Sequence, residues 1–144
     1  MQRGFFMFKK ILVFAVSLVM VFTFFLLQKK PVFINYGQSF EIYLNGDGSL
    51  SQGVVISGKD YVFYGNITGE SCVVSESDFS VNDFFADFNA KVLFTETVDE
   101  GVSYYGYSSK IKYAQNINGK RVNLHVFVGK EQIKVGSPII YGSF

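Results

Sequence analysis

An uncharged run of seventeen residues, 11–27 (ILVFAVSLVMVFTFFLL), constrains this chain more than any other feature. Only Ser17 and Thr23 interrupt it. As a helix rising about 1.5 Å per residue it would be roughly 25 Å long, just enough to span a bilayer core. Charges stop at both ends, with Arg3, Lys9 and Lys10 before the run and Lys29 and Lys30 after it. The small excess of basic charge on the N-terminal side, helped by the terminal amine, favours a cytoplasmic N-terminus and export of the rest.

A cleaved signal peptide also places basic residues before an apolar stretch. The run is longer than the usual apolar region of such a peptide, and residues 24–30 (FFLLQKK) offer no small-x-small cleavage site. An uncleaved anchor is therefore the leading expectation, and a secreted domain the alternative. Translation from Met7 instead of Met1 would leave the run intact. The single cysteine, Cys72, lies too far downstream to be the acylated residue of a lipoprotein. The expected organisation is a cytoplasmic basic segment over 1–10, a transmembrane helix or signal anchor over 11–28, and an extracytoplasmic domain over 31–144.

The net charge of +1 conceals an uneven distribution. Residues 31–144 carry eight bases against twelve acids, a net −4, while the other five bases flank the apolar run. Within the exported part, 70–100 is strongly acidic at −7 and 101–144 basic at +5, so the two regions can attract one another. An exported, acidic unit without a basic excess excludes a nucleic-acid partner. The length leaves room for one modest domain and not for a multidomain enzyme.

Apolar residues in that unit recur mostly with period two, the signature of strands. Phe40, Ile42 and Leu44 alternate with polar or aromatic neighbours, the turn residues Asn45, Gly46, Asp47 and Gly48 follow, and 53–57 (GVVIS) is the returning strand of a hairpin. Residues 61–64 (YVFY) read as a third strand and 71–75 as a short fourth. The period then changes. Ser80 with Asp83 resembles a capping box, and Val81, Phe84, Phe85 and Phe88 follow at i, i+3, i+4 and i+7, predicting a helix near 80–90. Burying its three phenylalanines at about 1.5–3 kcal/mol each would make it the main clamp of the core.

Strands resume at 91–98 and 102–108, and an Asn118-Gly119 turn leads into 121–128 (RVNLHVFV). There Val122, Leu124, Val126 and Val128 are expected to face inward, leaving Arg121, Asn123, His125 and Phe127 on the other side. Residues 131–135 and an extended end containing Ile139 and Ile140 complete the series. Pro138 lacks an amide donor and suits an edge strand or a strand entry, and the uncharged residues 141–144 suggest a docked terminus. The fold class is α+β: an antiparallel sheet of about six to eight short strands packed on one helix.

Few residues point to chemistry. Cys72, between apolar neighbours, reads as a small buried hydrophobe, and a nucleophile–base pair with His125 has no local signature around either residue. One histidine and one cysteine are too few for a zinc site. Residues 45–49 begin like a calcium loop, but Leu50 and Ile56 stand where its glycine and bidentate glutamate belong. Asp83 and Asp87 share a helix face that reads as solvated. No catalytic residue, metal or cofactor is expected. The candidate interaction surface is Tyr104, Tyr105, Tyr107, Lys110, Lys112 and Tyr113, because aromatic rings with basic neighbours suit peptide, carbohydrate or anionic-polymer binding.

Three segments near the C-terminus, 107–111 (YSSKI), 118–124 (NGKRVNL) and 135–141 (VGSPIIY), form a pattern that resembles the C-terminal part of the YwmB-like family of exported or membrane-anchored proteins of low-GC Gram-positive bacteria. The resemblance covers about a third of the chain and implies a curved antiparallel sheet with helices on one side, in a cell-envelope setting. It carries no catalytic residues with it. The resulting expectation is a noncatalytic domain held to the bilayer through 11–27, making contacts with an envelope protein or wall polymer, in a wall or sporulation role. A small envelope enzyme or enzyme inhibitor is the alternative.

Overall fold

A helix, α1 (Gln2–Leu26), precedes a mixed domain in the computed structural model, which describes residues 2–26, 28–44, 53–75 and 77–141. Within α1 the described side chains are Met7 and 9–25. After a series of turns over 32–36 the chain forms β1 (Ser39–Tyr43), β2 (Val54–Ser57), a short 3-10 helix (Asp60–Phe63) and β3 (Gly69–Val73). Then come α2 (Val81–Asp87), β4 (Lys91–Val98), β5 (Gly101–Tyr107), β6 (Gln115–Ile117), β7 (Lys120–Val122), β8 (Leu124–Gly129) and β9 (Ile133–Ser137). The expected hairpin between β1 and β2 is present in its strands, and its turn, 45–48, lies outside the described residues.

Seven strands make one antiparallel sheet in the order β2-β1-β3-β9-β8-β5-β4, and β6 pairs with β7 in a separate ribbon. Two groups of strands, β2-β1-β3 and β9-β8-β5-β4, are joined in the middle by β3 against β9. The seven-stranded sheet agrees with the expected six to eight strands, and the β6–β7 ribbon is a distinct element beside it. The chain end is central as well: β9 lies between β3 and β8, so Pro138 follows an interior strand and not an edge. The edges are β2 and β4.

One sheet face carries Phe40, Ile42, Cys72, Val135, Val126 and Leu124 under α2, whose Phe84 and Phe85 are buried. The amphipathic helix forms as the spacing requires, and Ser80 caps it by accepting a hydrogen bond from the Asp83 amide at 3.3 Å. It is shorter than expected, because Phe88 and Asn89 already leave helical geometry and the Phe88 carbonyl accepts from the Ser108 hydroxyl at 2.6 Å. Phe33 and Tyr36, from the turns after α1, complete the aromatic layer, with ring centroids 5.8 Å and 4.9 Å from Phe84.

Two expectations fail for stated reasons. Residues 61–64 are not a strand: the Ser57 hydroxyl donates to Asp60 at 2.7 Å, closing a turn into the 3-10 helix, and Tyr61 points inward to donate to Glu70 at 2.6 Å. The expected long strand over 121–128 is broken at Asn123, which is fully buried. Its side-chain amide donates to the carbonyls of Ser108 and Ile111 at 2.7 and 3.0 Å, and its oxygen accepts from the Ser108 amide at 2.7 Å, tying down the loop after β5. Asn123, His125 and Phe127 are as buried as Leu124 and Val126 between them.

The second sheet face is covered by the chain end. Beyond a cis Ser137–Pro138 bond, the amide of Ile140 donates to Nδ1 of His125 at 3.1 Å, and Tyr141 packs on Tyr43 with ring centroids 4.6 Å apart. Gly136 sits beneath this return, where a Cβ would come within 2.7 Å of the Ile140 side chain. The docked terminus therefore holds as far as Tyr141, and 142–144 lie outside the described residues.

Candidate functional site

The six residues singled out from the sequence do not form one surface. Tyr104 faces α2 and packs against the core. Tyr105 lies on the opposite face, stacked between Phe94 and His125 at centroid distances of 4.6 and 4.4 Å. Burial, reinforced by a hydrogen bond to Glu96, pushes its phenol above the ordinary range. Lys110 reaches back to α2 and donates to the Asp87 carbonyl at 3.3 Å. Lys112 and Tyr113 sit together in the loop before β6, with the ammonium 5.3 Å from the ring centroid. Tyr107 joins a groove beside the sheet edge, whereas Lys112 and Tyr113 line a separate cleft with Lys29 and Lys30.

That groove runs beside the β4 edge and has a volume of about 560 Å³, lined by Leu93, Tyr107, Lys120 and Arg121. Its geometry begins with Asn118 and Gly119, whose φ values of 51° and 74° are those of a tight hairpin turn. The turn folds β6 and β7 into a ribbon and projects the two consecutive bases toward the sheet edge. A register shift between Val92 and Phe94 makes a bulge at Leu93. Lys120 Nζ donates to the Leu93 carbonyl at 2.9 Å and lies 5.4 Å from the Phe94 ring centroid. The Arg121 guanidinium is 5.4 Å from the Tyr107 ring centroid. Asn118 ties the ribbon tip to β4 through Glu96 at 3.0 Å.

Chemically this is a platform of two solvent-exposed cations held against aromatic rings. Arg121 can offer a planar fork to a carboxylate or phosphate, and the ring beneath it restricts its freedom before any ligand arrives. Lys120 and Arg121 were not among the sequence candidates. The signal for them was the Asn-Gly turn followed by two bases, which predicts charges displayed on an outward ribbon.

Cys72 and His125 lie on opposite faces of the sheet: Cys72 pairs through Val135 with Val126, and His125 is the neighbour of Val126 that points the other way. Burial pushes the Cys72 thiol up to about 12 and the His125 imidazole down to about 4, so both are neutral near pH 7. Among the described residues no group of three or more His, Cys, Asp or Glu could hold a metal ion. Glu70, which the sequence reading passed over as one of many acids, is buried under α2's side of the sheet. Its carboxylate accepts from the Phe33 amide at 3.0 Å and from the Tyr61 hydroxyl at 2.6 Å, and burial raises its pKa. It fastens the segment that leaves α1 to the sheet.

No family model, curated protein or solved structure matches the chain. Among the described residues no helix is long and apolar enough to cross a membrane.

Proposed function

We propose that the chain is a membrane-anchored, extracytoplasmic interaction module, and that the groove of Leu93, Tyr107, Lys120 and Arg121 takes an anionic segment of an envelope protein or wall polymer. The observation that carries the anchor is the exposure of α1: every side chain over 11–25 is exposed, around the whole circumference of the helix. A helix apolar on all sides needs an apolar medium and not a single packing partner. Ser17 and Thr23 fit such a medium, because each hydroxyl donates to a carbonyl four residues earlier at 2.9 Å. The fixed cations of the groove support the contact role, and the likeness of the C-terminal segments to the YwmB-like family adds the envelope setting.

The test has two arms. With alkaline phosphatase fused after Phe144, export predicts an active enzyme that stays with the membrane after a carbonate wash; a bright cytoplasmic fluorescent fusion at the same position overturns the topology. For the groove, the full chain crosslinked in membranes should capture an envelope partner or bind teichoic acid, and K120Q with R121Q should reduce that yield severalfold. An unchanged yield in the double variant overturns the assignment of the groove.

A further inference from the structure

The link between α1 and the domain is short and fastened. Lys29 and Lys30 are exposed, Pro31 is already buried, and Phe33 is fully buried with its amide on Glu70. Five Cα-to-Cα steps lead from Leu26 to Pro31, a reach of at most about 18 Å even when extended. If α1 lies in a bilayer, the end of the domain that receives this link stays at the head groups.

That end has a distinct composition. One cleft beside the link brings Lys29 and Lys30 together with Lys112 and Tyr113, and a second brings them together with Lys59 and Val62. Lysines far apart in sequence thus flank the link on both sides, and among the described residues no carboxylate lines either cleft. The nearest acid along the chain, Asp60, accepts a hydrogen bond from Ser57. Between the clefts runs the 3-10 helix: Tyr61 lines one, Val62 the other, and Phe63 beside them is 82% exposed. A large ring in water gains nothing there, whereas an aromatic side chain flanked by lysines suits the boundary between head groups and acyl chains.

We infer that this end is a second membrane contact: Lys29, Lys30, Lys59 and Lys112 bind anionic head groups of the anchoring bilayer while Phe63 inserts at its surface, so that the domain is held in one orientation. The inference rests on the anchor reading. Charge complementarity selects anionic lipid, since the exported part as a whole carries −4 and a negative surface would repel it in any other orientation. The strands then run away from the membrane on the side of β5. Lys112 follows one end of that strand, and Glu100 and Lys130, joined by a backbone hydrogen bond, mark the other.

The test uses the full chain with Cys72→Ser and a single dye-bearing cysteine, either Gly65→Cys, where the added side chain meets open space, or Lys130→Cys at the far end. The proteins are reconstituted in phosphatidylcholine vesicles with and without phosphatidylglycerol, and quenching by a head-group nitroxide is read. Quenching at position 65 should exceed that at 130 severalfold with phosphatidylglycerol, fall in high salt, and be lost in K59E with K112E. Phe63→Ser should weaken it further in pure phosphatidylcholine. Equal quenching at the two positions, or full quenching in the charge-reversed pair, overturns the membrane contact while leaving the anchor standing. Failure of the chain to float with either vesicle overturns the anchor and the inference together.

Discussion

Around its central strands the sheet is buried on both faces, and the two are built in different ways. Under α2 the layer is apolar and aromatic: Phe33, Phe40, Phe84 and Phe85 meet Leu124, Val126 and Val135 with little need for directional bonds. On the other face Tyr43, Tyr105, His125 and Tyr141 carry polar atoms into the interior, and the ordered contacts include Ile140 to His125 and the Tyr43 hydroxyl to the Tyr141 carbonyl at 3.2 Å. The first face excludes water mainly by hydrophobic area, with Glu70 as a buried polar group held by the Phe33 amide and the Tyr61 hydroxyl. The second needs its partners, because a buried polar atom without one costs more than the bond returns.

The largest expected effect falls on the apolar face. Phe84→Ala removes the ring that touches Phe33, Tyr36, Phe79 and Phe88, and should cost about 4 kcal/mol in chemical denaturation of the full chain in detergent. A loss below 1 kcal/mol would mean that α2 is not the clamp. The comparison sharpens with pH. His125 has a folded pKa depressed to about 4 from 6.5, so the unfolded chain binds more protons between those values. Its contribution is fully present above pH 6.5 and is lost as the pH falls toward 4, by about 3 kcal/mol. Glu70 has the opposite sign: its raised pKa makes the native state the better proton binder just above the usual glutamate range, so its contribution declines as pH rises there. His125→Gln keeps an acceptor for Ile140 but does not titrate, and should flatten the acid limb of the stability profile. Parallel profiles for the two proteins would place His125 in water. The smallest effect expected is that of Tyr105→Ala, about 2 kcal/mol from two lost ring stacks and partial burial. A neutral result would show that the polar face is held by the chain end and not by its stacked rings.

What was legible in the sequence follows the same division. The helix cap at Ser80, the phenylalanine stripe, β4 and the β1–β2 pairing are local or strictly periodic, and each was readable. The 3-10 helix was not, because Tyr61 and Val62 have strand propensity and the decision came from Glu70, nine residues away. The break at Asn123 was missed for a related reason: alternation across 121–128 hides a buried amide whose partners, Ser108 and Ile111, belong to another loop. For the candidate groove, Tyr107 was readable as an aromatic beside bases. Lys120 and Arg121 became members only through the ribbon's docking on the β4 bulge.

By itself the sequence determined an apolar N-terminal run bounded by lysines, an acidic α+β unit directly behind it, and one amphipathic helix with a defined cap, since each depends on neighbours within a few residues. The tertiary structure decided which strand lies at the centre, which face the chain end covers, and which lysines gather at the link to α1. Those outcomes depend on pairings such as β3 with β9 and Tyr43 with Tyr141, the latter 98 residues apart. Period-two patterning states that a residue faces a layer, but it does not state which layer. Only closure of the whole sheet assigns that.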